Sequence, residues 1–329
     1  MDNQPLLETI DPEYMDRLVA RKQEIDRGSW ASPGIVAALA LGSVPIAIAA
    51  LSKDVYAQGT LPAAVKGVLD FAFALEVFED EFYKAVLGTS ANAASNAAFT
   101  TVRTAAAAVP GAVNTLKQIE KHEAAHRATL LATGATNVFN LNENSFDFTG
   151  ARGAGNGPFA KATTNLAFLL EVAQGAEDTG VRAYKGQAGI LLANSQPAIL
   201  EAALRIHSVE ARHASRIRRM RRIAAGAPVA VRYSGTVRGG GAAATGATDT
   251  GDTAAVQAQV TAAFDAIYGP GANATSAPSE SNVMQAGVDV SALPFASFGL
   301  NAATEAFDEP LDRGDVVKIV QGFFIPTIA

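Results

Sequence analysis

The chain has 329 residues, 49% of them hydrophobic and 18% charged, enough to bury a sizeable core in one large domain or two modest ones. A net charge of −6 argues against nucleic acid as a partner, which requires a basic face. With no cysteine, disulfides, zinc–thiolate sites, iron–sulfur clusters and thiol catalysis are excluded, and any metal must be held by carboxylates and imidazoles.

Residues 1–57 read as an N-terminal arm followed by an apolar helix. Residues 1–27 carry seven acidic side chains against four basic ones, and residues 28–52 carry no charge at all. The run "GIVAALALGSVPIAIAAL", residues 34–51, is nearly all apolar, and "VYAQ" after it offers small residues of the kind a signal peptidase cuts beside. Three readings stand: a retained export signal or membrane anchor, a short spanning helix kinked at Pro45, or a helix buried in the core. The first two place the protein in the cell envelope or periplasm, tethered by an uncleaved segment.

Residues 58–226 carry helical periodicity in four stretches. The first is expected over about residues 61–87, and the second from beyond Pro110 to a stop at Gly134. The third is expected over about 158–185, and the fourth from near Ser195, with Pro197 in its first turn, to Gly226. About 24 Asn- and Gly-rich residues separate the second and third. So long a connection suits two consecutive helices that run parallel, with the chain crossing the full length of a bundle between them. Residues 227–329 begin as a Gly/Ala/Thr-rich linker, contain a short helix around "TAAVQAQVTAAFDAIYG", and end in a hydrophobic segment expected to dock on the bundle or on a neighbour.

Acidic and imidazole residues repeat across the four helices. Helix one has Glu76 and, seven residues on, Tyr83; helix three has Glu177 and, seven residues on, Tyr184. Helix two has Glu123 and His126, and helix four has Glu210 and His213, each pair at i, i+3 on one face. Four glutamates and two histidines give each of two metal ions one imidazole and a share of bridging carboxylates. Two divalent cations would neutralise four charges that otherwise repel in a core. The expected metal ligands are therefore Glu76, Glu123, His126, Glu177, Glu210 and His213. His122 either orients the site from behind the ligands or is exposed, and Tyr83 and Tyr184 either pack in the core or hydrogen-bond the site carboxylates. Glu79, Glu81, Glu120 and Glu171 are expected to be solvent-facing or salt-bridged, and His207 to be structural.

"LEVFEDEFY", "HEAAHR", "EDTGVRAY" and "VEARHA" resemble the helix signatures of the ferritin-like superfamily, in particular its desiccation-related and exported bacterial branch. "SKDVYAQ" and "AFDEPL" are similar to flanking segments of that branch, although the paired arginines that many of its leaders carry are missing. The resemblance implies an all-α fold. Its core would be a ferritin-like four-helix bundle with a long crossover between helices two and three, flanked by an N-terminal apolar helix and an irregular C-terminal extension. It also implies a dinuclear, carboxylate-bridged site for two iron or manganese ions, and a protein that acts on peroxide or dioxygen in stress protection. The alternative is an envelope-associated structural or stress-protective protein whose metal site is structural or vestigial. A membrane or envelope-protein contact could run through residues 34–51, the "RIRRMRR" run of residues 216–222, or the C-terminal tail. The sequence leaves self-association into a homo-oligomer open.

Overall fold

A computed structural model describes residues 61–226, 253–293 and 303–328. The apolar stretch of residues 34–51 lies outside the described residues, as do residues 227–252 of the linker. The described chain is mostly helical, in keeping with the all-α expectation: α1 (Ala63–Leu87), α2 (Ala93–Ala98), α3 (Thr100–Ala107), α4 (Ala112–Ala132), α5 (Leu166–Ala193), α6 (Pro197–Ala225), α7 (Ala254–Tyr268) and α8 (Arg313–Val320). Two-residue strands β1 (Met284–Gln285) and β2 (Val288–Asp289) form a small antiparallel hairpin. No helix among the described residues is long and apolar enough to cross a membrane.

The four long helices α1, α4, α5 and α6 form the bundle, and their termini follow local chemistry. Gly88 ends α1 and Gly226 ends α6, each in the left-handed conformation that favours glycine. The Asn165 side chain caps α5 by accepting from the Phe168 N–H, and Pro197 opens α6. Helix three therefore begins at Leu166 and ends at Ala193, eight residues later at each end than its periodicity predicts. Pro158 instead precedes a short 3-10 turn over Ala160–Thr163. The segment between the first two predicted helices holds two further short helices, α2 and α3.

Side-chain pairs fix the helix directions. Lys66 Nζ donates to Thr136 Oγ1 at 2.7 Å and Arg127 to Asp80 at 2.8 Å, so α1 and α4 are antiparallel. Tyr83 meets Glu177 and Tyr184 meets Glu76, so α1 and α5 are antiparallel. The three-residue link between α5 and α6 leaves no choice but antiparallel. Helices α4 and α5 thus run parallel, and residues 133–165 cross from one end of the bundle to the other.

The crossover and the C-terminal segment cover the outer side of α1. Phe78 of α1 packs on Phe146 and Phe148 of the crossover and on Phe323 and Phe324 of the tail, with ring centroids 5.2–6.2 Å apart. Backbone bonds join the same two segments, from Asp147 N to Phe323 O and from Ile325 N to Ser145 O. On the other side, Arg182 of α5 is 1% exposed and spends its guanidinium on the tail. It donates to the carbonyls of Ile267, Gly269, Pro278, Glu309 and Pro310 and pairs with Glu280 at 3.2 Å. A Cβ on Gly186 would lie 1.7 Å from the Leu311 carbonyl oxygen, so the tail can approach α5 this closely only over glycine.

Candidate metal centre

Each of the four bundle helices delivers part of one buried polar layer. Glu76, Glu123, Glu177 and Glu210 are 0% exposed, His213 is 3% and His126 is 8%. All six predicted residues converge there in two overlapping groups: Glu76, Glu123, His126 and Glu210, and Glu123, Glu177, Glu210 and His213. Within each group one ligand atom from every residue lies within 4.8 Å of the others. Glu123 and Glu210 belong to both groups, which places them where bridging carboxylates would stand.

The imidazoles point inward through Nδ1. His126 Nδ1 lies 3.2 Å from Glu76, 3.0 Å from Glu123 and 3.0 Å from Glu210. His213 Nδ1 lies 2.8 Å from Glu123, 3.2 Å from Glu177 and 3.5 Å from Glu210. One N–H cannot serve three acceptors, and the geometry shows the shortfall. Glu123 Oε1 and both oxygens of Glu210 are buried with no hydrogen bond, even though an imidazole stands within ion-pairing range. These orphaned oxygens sit on the two carboxylates common to both groups. A pair of cations among them would satisfy each oxygen and each Nδ1, so the donor set fits two carboxylate-bridged ions.

Tyr83 donates to Glu177 and Tyr184 to Glu76, so both tyrosines are buried hydrogen-bond donors to the site. Each ties a carboxylate to the opposite helix. His122, half-buried, stands behind the site: its Nδ1 is 2.8 Å from Nε2 of His213, and Gln118 Nε2 is 2.6 Å from its own Nε2. Burial, followed by the neighbouring His213 and His126, pulls His122 down to about 4, so it is neutral at physiological pH and its Nδ1 can accept from His213. The contact fixes the His213 ring with Nδ1 facing the carboxylates.

Without cations the layer holds protons. Burial raises Glu177 to about 7 against the pull of His213. Burial and then Glu210 raise Glu123 well above the carboxylate range. Burial works to lower His213, but Glu177, Glu123 and Glu210 push it up to about 12, and Glu76, Glu123 and Glu210 raise His126 in the same way. Glu210 goes the other way: although burial acts to raise it, the positively charged imidazoles of His126 and His213, 3.0 and 3.5 Å away, hold its carboxyl well below the usual range.

Among the glutamates expected to be solvent-facing or salt-bridged, Glu81 and Glu171 are buried but paired, with Lys84 at 3.2 Å and Arg221 at 3.7 Å, and Glu120 is half-exposed. Glu79 overturns its expectation. It is 4% exposed, forms no ion pair among the described residues, and lies against the metal layer. Burial first, then Glu210, Glu177, Glu123 and Glu76, push its carboxyl well above the usual range. The i, i+3 spacing of Glu76 and Glu79 places both on one helix face. His207 stays off the layer, half-buried, with Nε2 unpartnered.

Residues 65–222 match the family described as the ferritin-like domain, and the matched stretch coincides with the four bundle helices and their crossover. No curated protein and no solved structure matches the chain.

Proposed function

Starting from a ferritin-like domain in residues 65–222, we infer that this protein holds two iron or manganese ions between its four long helices and uses them to react with peroxide or dioxygen. The observation that carries the reading is the set of buried oxygens without hydrogen bonds on Glu123 and Glu210, the two carboxylates shared by both groups. Such atoms are costly to bury unless a ligand completes them. Iron and manganese both accept a mixed carboxylate–imidazole set and cycle between oxidation states, which is the chemistry the ions would supply.

The chain's own residues would set the geometry. Tyr83 and Tyr184 hold Glu177 and Glu76 from the opposite helix, and His122 fixes the tautomer of His213. Loading requires the protons on Glu123, Glu177 and the two imidazoles to leave. The test is anaerobic loading of the full-length protein with iron(II) or manganese(II), elemental analysis, and then a peroxide-consumption assay. About two ions per chain and metal-dependent consumption are expected. A protein that takes up no transition metal would defeat the reading.

The full burial of all six ligand residues favours a second reading, in which the ions only staple the bundle in a structural, stress-protective protein. Uptake of two ions without peroxide or dioxygen consumption would select it. Both readings include a location in the cell envelope, as in the desiccation-related, exported branch, supported by the uncharged run of residues 28–52. Recovery of the full-length chain in washed envelopes, and release of an intact bundle on deletion of residues 1–57, is the expected result; recovery in the soluble cytosolic fraction would overturn it.

A further inference from the structure

The two halves of the metal layer are related by an approximate two-fold. Glu76 and Tyr83 of α1 correspond to Glu177 and Tyr184 of α5, and Glu123 and His126 of α4 correspond to Glu210 and His213 of α6. The correspondence fails at one place. Three residues after Glu76 stands Glu79, and three residues after Glu177 stands Gly180. A Cβ on Gly180 would lie 3.5 Å from Glu79 Oε1, 3.6 Å from Glu210 Cγ and 3.7 Å from Glu210 Oε2. The Glu79 carboxyl therefore fills the space left by the missing side chain on α5, beside a carboxylate shared by both groups.

Nothing in the surrounding structure accounts for a carboxyl in that position. Glu79 is 4% exposed, and among the described residues it has neither a hydrogen bond nor an ion pair. Its buried neighbours Asp80 and Glu81 show the usual solution, with Lys84 and Arg127 serving Asp80, and Lys84 and Ser90 serving Glu81. An unpaired fifth carboxyl, 4% exposed and added to four others, is costly unless a cation serves it. Four glutamates balance two divalent cations. A fifth gives the layer one more negative charge than that pair requires, which matches a pair that becomes more positive on oxidation.

We propose that Glu79 is a seventh protein ligand, serving the ion held by Glu123, Glu177, Glu210 and His213, so that the two ions are bound by unequal ligand sets. The proposal rests on the two-ion reading above. Glu79 stands outside both tight groups as they are drawn, so coordination requires its side chain to turn toward Glu210.

Cobalt(II), added anaerobically to the metal-free full-length protein and followed by calorimetry and visible absorption, tests it. Wild type should take two equivalents. In Glu79→Gln and Glu79→Leu one equivalent should bind at least about tenfold more weakly, and its visible bands should intensify as that ion loses a ligand. The other equivalent should be unchanged, and Glu81→Gln should behave as wild type. Melting of the metal-free variants at or above the wild-type temperature would show that they fold. Wild-type affinities and spectrum in both Glu79 variants, or equal weakening of the two equivalents, would overturn the proposal while leaving the two-ion reading intact. A wild type that binds no cobalt would remove both.

Discussion

Two buried polar regions lie within a few residues of each other on α5, and they are built on opposite principles. At Arg182 a guanidinium is buried and fully used, its donors directed at five backbone carbonyls and its charge at Glu280. At Glu177 and its neighbours the layer has too many acceptors and too few donors, and three oxygens have an imidazole in ion-pairing range but no hydrogen bond. A satisfied buried charge holds structure together. An unsatisfied one, when the shortfall is shared by several convergent groups, marks a place kept for something else.

The largest expected effect breaks the satisfied region. Arg182→Met should cost about 3–5 kcal/mol, because five carbonyls and a buried carboxylate lose their partner together. Chemical denaturation with and without bound metal should show the same loss, since the residue does not touch the layer. At the unsatisfied region the sign should reverse. Glu123→Ala combined with Glu210→Ala should abolish metal uptake and the thermal shift that metal produces, worth about 2.7 kcal/mol at a hundredfold excess over Kd. The same double variant without metal should be no less stable than wild type, because two mutually repelling carboxyls have gone. Differential scanning calorimetry of both forms checks both parts.

The pH response should separate the metal-free from the loaded protein. Glu177 is raised from 4.5 to about 7 and His213 from 6.5 to about 12 in the metal-free fold, so the folded form holds more protons than the unfolded chain. That stability is present in full below the unfolded values and is lost as pH rises through the folded ones. Between pH 5 and 8 the metal-free melting temperature should fall, by roughly 2–4 °C for each kcal/mol lost. The loaded protein should move the opposite way over the same range, because the ions compete with those protons. Parallel slopes would mean that no ion occupies the layer. The smallest effect is expected at the tyrosines: Tyr83→Phe and Tyr184→Phe should each cost about 1–2 kcal/mol in the loaded protein. Clearly unequal costs would show that the two halves differ beyond Glu79 and Gly180.

The layer was legible because residues that converge inside a helical bundle must recur at helical spacing. Glu123–His126 and Glu210–His213 mark two helices, and Glu76–Tyr83 and Glu177–Tyr184 mark the other two, so the six converging residues could be named without coordinates. The crossover was legible for a related reason, since two consecutive parallel helices demand a long connection. Glu79 carries only its i, i+3 spacing from Glu76, and a second glutamate on a bundle helix is ordinarily taken up by solvent or a salt bridge at the outward face. Here Phe146, Phe148, Phe323 and Phe324 cover that side of α1, and the helix is buried almost throughout from Val68 to Val86. The apolar character of "FAFALEVFEDEFY" was the trace of this cover, spread too evenly round the helix to show a wet side. Arg182 left no local trace at all. Its partners are backbone carbonyls, which any sequence supplies, and they lie far along the chain.

That distance bears on how the protein is made. The carbonyls that Arg182 reaches are 85–128 residues downstream of it. At a synthesis rate of about 5–20 residues per second, roughly 6–26 s separate the guanidinium from the last of its acceptors on a growing chain. During that interval α5 cannot bury Arg182 without stranding a charge, so the helices can be complete while the fold is not. The tail acts as a late latch on the bundle, and a chain interrupted before Ile267 keeps all six convergent Glu and His residues yet lacks every carbonyl that Arg182 reaches.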